Sequence, residues 1–161
     1  MIEHELVTRF DRLKSTYEAL YACLKEERRY LPQAKVEKLQ VVVQKIEHTV
    51  SKINQERTDL LSVLSKFTGK ASPSLHIDSL LRFISPMYHH HFQTTYEDVD
   101  RLTNEVKRYA KENRFLIEDS LNFIEETIHK VMGAKEKNTT YDKEMKLRRL
   151  KHNNLLLSKE V

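Results

Sequence analysis

Three groupings of side chains in this sequence have the types and spacings that chemistry uses. The first is His89-His90-His91, a run of imidazoles, the commonest metal-ligating side chain. On a helix, consecutive residues point about 100° apart, so three adjacent rings cannot converge on one ion. None of the eight histidines has another at i+4, the spacing that puts two ligands on one helical face. The run is read as surface histidines in the opening turns of a helix. The second grouping is Glu126-Thr-Ile-His129, the Glu-x-x-His spacing of di-iron bundles. Such a site takes two of these pairs and two further inward carboxylates. No second pair exists, so no metal is expected. The third is Arg148-Arg149 among leucines near the C-terminus. Phosphate affinity grows with the number of cations engaged. Residues 133–161 offer 8 basic groups against 4 acidic ones, with only Tyr141 as a ring for stacking. That supply is thin, and nucleic acid is not expected as a partner. With no glycine-rich phosphate loop, nucleophile motif or Cys/His ligand set, the chain reads as a non-enzyme, with no catalytic residue, cofactor or metal.

Composition sets the frame that would position a binding surface instead. The chain has 161 residues, 32% of them charged, with 2 Gly, 3 Pro and no Trp. So few breakers suit long helices rather than loops and sheets. The single Cys23 cannot form an intramolecular disulfide, which suits a reducing cytoplasm, and it is read as a small buried hydrophobe. The N-terminal residues show no basic region followed by an apolar stretch, so no secretion signal is expected. Apolar runs such as Val41 to Val43 and Leu155 to Leu157 fall far short of the ~20 residues of a membrane span, so the protein is not expected to be an integral membrane protein. The net charge of +4 resides in residues 133–161; residues 1–132 balance to zero.

The apolar pattern predicts an all-α protein, an elongated antiparallel bundle of three long helices plus one short helix, with a flexible C-terminal tail. Leu6, Phe10, Leu13, Tyr17, Leu20 and Leu24 alternate spacings of four and three in a first helix over about 2–30. Pro32 turns the chain and suits the first turn of a second helix over about 33–67. There the seam reads Val36, Leu39, Val43, Ile46, Val50, Ile53, Leu60, Leu64 and Phe67, with Arg57 as its one polar position. Arg57 is read as a long side chain laying its methylenes on the seam with its head in solvent. Gly69 to Ser74 is a loop, followed by a short helix over about 75–84 that presents Leu75, Leu80, Leu81 and Ile84. From Met87 to Met132 no glycine or proline occurs, predicting one helix about 70 Å long. Its seam runs Tyr88, Phe92, Val99, Leu102, Val106, Tyr109, passes Asn113 and Ser120, and drifts to Ile117, Leu121, Ile124, Ile128 and Val131. As the longest helix, it is expected to leave apolar surface available for a partner.

The domain reading is a helical bundle over 1–132 and a flexible basic tail over 133–161, partly helical on binding. Leu147, Leu150 and Leu157 share one helical stripe, which Asn154 interrupts. A helix this short is marginal alone in water and gains order on a partner.

Four stretches follow in order: Leu39 through Lys45-Ile46, then Glu56-Arg-Thr-Asp-Leu-Leu61, then Asn113-Arg-Phe-Leu-Ile-Glu-Asp-Ser-Leu121, and finally Thr140-Tyr141-Asp142 after a glycine and a polar link. Together they resemble the FlgN-type flagellar type III export chaperones. The family often has a glycine soon after the Tyr-Asp, where this chain has Lys143 and Glu144. The resemblance implies a cytoplasmic chaperone, transiently at the membrane export apparatus. Such a protein binds hook-associated (hook–filament junction) proteins, prevents their premature assembly and delivers them to the export gate. It further implies cargo binding by Met145, Leu147, Leu150, Leu155, Leu156 and Leu157, continued by Ile124, Ile128 and Val131, with Tyr141 docking on the gate. The competing reading is a structural coiled-coil adaptor, or a bundle pairing with a second copy as a homodimer.

Overall fold

A computed structural model of the chain describes residues 2–69, 77–82 and 84–132. Helix α1 spans Ile2–Tyr30, α2 Val36–Thr68, α3 Ile77–Leu81 and α4 Pro86–Met132. A 3-10 turn at Leu31–Gln33 links α1 to α2. The described residues are helices and their connections, so the all-α class expected from the pattern is found. Leu75 and the division expected at Gly133 lie outside the described residues. The chain divides into two compact units, Met1–Tyr109 and Ala110–Val161.

In the first unit, every seam residue anticipated on α1 is buried: Leu6, Phe10, Leu13, Tyr17, Leu20 and Leu24, joined by Val7. Side chains at alternating spacings of three and four share one face, and hiding each contributes about 1.5–3 kcal/mol. The ion pairs and hydrogen bonds give the helix directions. Going forward along α1 from Arg9 through Thr16 to Glu26, the partners on α2 go backward from Asp59 through Glu56 to Lys45. On α4 the partners go forward. Asp11 meets Thr95, Lys14 meets Asp98 and Tyr21 meets Glu105, each pair 84 residues apart. Phe10 meets Phe92 edge-on, with ring centroids 4.7 Å apart, a geometry that adds to simple burial. Leu80 from α3 and Ile84 after it are also buried.

Helix α2 departs from its expected seam in an informative way. Its buried residues are Val42, Ile46, Ile53, Leu60 and Leu64. The column Ile46, Ile53, Leu60 therefore points into the core, while Val43, Val50 and Arg57 stand half-buried at its margin. A half-buried position at the margin is one where a long cationic side chain is tolerated. Leu39 and Phe67 are half-buried, and Val36 is fully outside the core, 62% exposed. The helix also begins later than expected. Pro32 sits in the 3-10 turn, and Ala34 takes a left-handed conformation (φ 48°) that separates the turn from α2. At the other end, Gly69 (φ 67°) caps α2, its N–H donating to the Ser65 carbonyl. A residue with a side chain is disfavoured at that φ, and glycine is not.

Candidate functional site

Within the first unit, α4 is held by a polar rim as well as by its apolar stripe. Lys14 Nζ donates to Asp98 Oδ2 at 2.6 Å, and Arg101 pairs with the other oxygen of Asp98 at 2.9 Å. The Lys14 bond, and then the Arg101 bond, hold the Asp98 carboxyl below its ordinary range; the same Asp98 bond raises the Lys14 ammonium above its own. Glu105 is likewise lowered, chiefly by its hydrogen bond from Arg108. Tyr21 packs edge-on against Tyr109 at 5.1 Å, and the Arg28 guanidinium lies 3.9 Å from the Tyr109 ring centroid, a cation–π arrangement. None of these long-range ties was legible in the sequence. Their trace is only the constant offset between α1 and α4 positions, which becomes visible once both helices are packed.

The histidine run does structural work. His89 Nε2 bonds to the Ile84 carbonyl at 2.7 Å, helping to set the start of α4, and His91 Nε2 lies 3.1 Å from Asp11 Oδ1. Glu126 and His129 are exposed. Among the described residues, no group of three or more His, Cys, Asp or Glu side chains is placed to hold a metal ion. Cys23 is half-buried rather than buried, with its thiol pushed up by burial and then by nearby Glu26. A shallow polar cleft between α1 and α2, about 340 Å³, is lined by Glu5, Arg9, Asp59, Ser62, Val63 and Lys66. Both of its carboxylates, Glu5 and Asp59, face Arg9.

The feature suited to binding is the stretch of α4 in the second unit. Asn113 is fully buried, and from Arg114 to Met132 no described side chain is. Seam residues Ile117, Leu121 and Ile128 are half-buried, while Ile124 is 47% and Val131 80% exposed. At about 100° per residue, Ile117, Ile124, Ile128 and Val131 fall on one face. Of the cargo-surface residues implied by the resemblance, Ile124, Ile128 and Val131 are thus brought together on one side of one helix. Met145, Leu147, Leu150, Leu155, Leu156, Leu157 and Tyr141 lie outside the described residues.

A second apolar group here was not singled out in the sequence. Phe115, Leu116 and Phe123 are exposed, the two phenylalanines by 66% and 70%. They occupy an arc of about 100° to one side of the seam face. The available signal was the doublet Phe123-Ile124, which puts apolar groups on two faces at once, with Phe115 eight residues before Phe123. Isolated exposed hydrophobics are ordinary, but groups of this kind on one helix mark interaction surface.

Among the described residues, no helix is long and apolar enough to cross a membrane. No curated protein matches the chain, and no solved structure does. A family model described as FlgN protein matches residues 1–149. With nearly the whole length matched, the chain belongs to the FlgN family, chaperones of flagellum assembly.

Proposed function

We propose that this protein is a cytoplasmic chaperone for hook-associated flagellar proteins, holding them unassembled and delivering them to the type III export gate. Its working frame is the antiparallel bundle of three long helices. The observation that carries the reading is the unburied seam face of α4, with Ile124 and Val131 exposed in a chain of the FlgN family. An amphipathic cargo helix has an apolar stripe that must be covered before assembly, and a helix face with matching spacing covers it. The tail residues Met145, Leu147, Leu150, Leu155, Leu156 and Leu157 extend this surface. A segment that orders on binding wraps a partner at moderate affinity, which suits a cargo that must be released. Tyr141, between bundle and leucines, is assigned to the membrane export apparatus, where the protein stays transiently.

The test is calorimetric titration of the full chain with purified hook-associated proteins. A saturable one-site isotherm with a negative heat-capacity change is expected, since apolar surface is buried. Absence of binding to every hook-associated protein of the same cell would end this reading. The same exposed face would also pair with a second copy, so the structural-adaptor alternative predicts a concentration-dependent homodimer and no cargo.

A further inference from the structure

The seam face accounts for Ile124 and Val131 but leaves the second face unassigned. Phe115, Leu116 and Phe123 are exposed there. Written at about 100° per residue, the same arc carries Glu112, Asp119 and Glu126 at intervals of seven, with Lys130 as its one cation. Apolar and acidic groups are thus interleaved on this arc. Its complement interleaves apolar and basic groups, and this chain contains one. Leu147, Leu150 and Leu157, placed on a helix, share an arc with Lys143, Lys146 and Lys151 and with no acidic residue.

We propose that this face of α4 is the docking site for the chain's own segment 143–157, which withholds the tail leucines until a cargo displaces it. The lengths agree. α4 ends at Met132, and Phe115 lies about 25 Å back along it at 1.5 Å per residue. Ten residues, 133–142, would span about 33 Å if extended, ample for the chain to reverse and run back along α4. From Leu147 to Leu157 is about 15 Å of helix, and from Phe115 to Phe123 about 12 Å. Docking is intramolecular, and a linker this short gives an effective concentration in the millimolar range. A contact too weak to hold two separate molecules is therefore sufficient. Tail docking stands on these lengths and charges alone; its consequence for cargo rests on the chaperone reading.

The test is hydrogen exchange on the full chain, followed by mass spectrometry of peptides covering 143–157. Exchange there is expected to be several-fold slower in the wild-type protein than in the double variant Phe115→Ser/Phe123→Ser. Both phenylalanines are exposed, so that variant is expected to melt like the wild type. Asp119→Lys/Glu126→Lys is expected to speed exchange, and adding Lys146→Glu/Lys151→Glu to slow it again. Equal exchange in all forms, or no rescue by the reversed charges, would overturn the proposal. So would protection that vanishes on dilution, which would put a second copy on the face instead. The cargo arm is separate. Phe115→Ser/Phe123→Ser should bind a hook-associated protein several-fold more tightly, and unchanged affinity would overturn the withholding role. If neither form binds such a protein, the chaperone reading fails while the exchange result still decides docking.

Discussion

Lys14 and Asp98 meet at 2.6 Å across 84 residues of sequence, and their bond fixes how α1 and α4 register against each other. Asp11 with Thr95 and Tyr21 with Glu105 repeat the same offset on either side. A shift of α4 by one turn would break all of these ties together, although the apolar stripe alone would tolerate it.

The pair also predicts a pH response. The folded-state pKa of Asp98 is lowered, so its stabilisation is present above the unfolded carboxyl value of about 3.9 and is lost as pH falls through the folded value. The Lys14 pKa is raised, so its share is present below about 10.4 and is lost as pH rises through the folded value. Charge reversal by Lys14→Asp or Asp98→Lys alone should lower the melting temperature at pH 7. The double reversal should recover most of the loss. Asp98→Asn should differ from wild type at pH 7 and converge on it in strong acid, as thermal melts across pH would show.

Core and margin of α2 should respond differently to truncation. Leu60 is 1% exposed, so Leu60→Ala should cost about 2–5 kcal/mol through lost burial and the cavity left behind. Val36→Ala, at an exposed position, should stay within about 0.5 kcal/mol. Urea titrations of both variants measure the contrast directly.

Ala34 holds a left-handed conformation without being glycine. Relief of that conformation is worth about 1–2 kcal/mol, partly offset by the extra freedom glycine gives the unfolded chain. Ala34→Gly should therefore raise the unfolding midpoint slightly. A clear fall would mean that the Ala34 methyl group makes a contact worth more than the relief.

Removing residues 134–161 should leave the melting transition nearly unchanged and abolish cargo binding. Unfolding of the truncated chain would instead make those residues part of the core, and the division at Gly133 would be wrong.

Tyr141→Ala should bind cargo normally while export of hook-associated proteins falls. Loss of cargo binding by this variant would move Tyr141 from gate docking to the cargo surface.

How much of this was legible beforehand follows from what each level of structure depends on. The α1 seam was readable in full because Leu6 through Leu24 are large, apolar and regularly spaced, and burial follows spacing. The opening of α2 was not, because Ala34 gives no sign of a left-handed turn and Val36 looks like any seam valine. Which of two seam columns faces inward depends on where neighbouring helices lie, so the inward Ile46–Ile53–Leu60 column and the marginal Val43–Val50–Arg57 column looked equal in sequence. The seam face of the candidate site was anticipated through Ile124, Ile128 and Val131. The second face was missed because Phe115 and Phe123 fall off the heptad, and a search along one stripe passes over them.

The burial pattern of α4 has a consequence for release. Nucleating a helix is unfavourable, and extending one is nearly neutral. The turns after Asn113 bury no side chain fully, so their helicity propagates from the turns upstream. Such a stretch unwinds in small steps between successive states. On the chaperone reading, a cargo held there would be shed turn by turn rather than pulled off a rigid surface all at once.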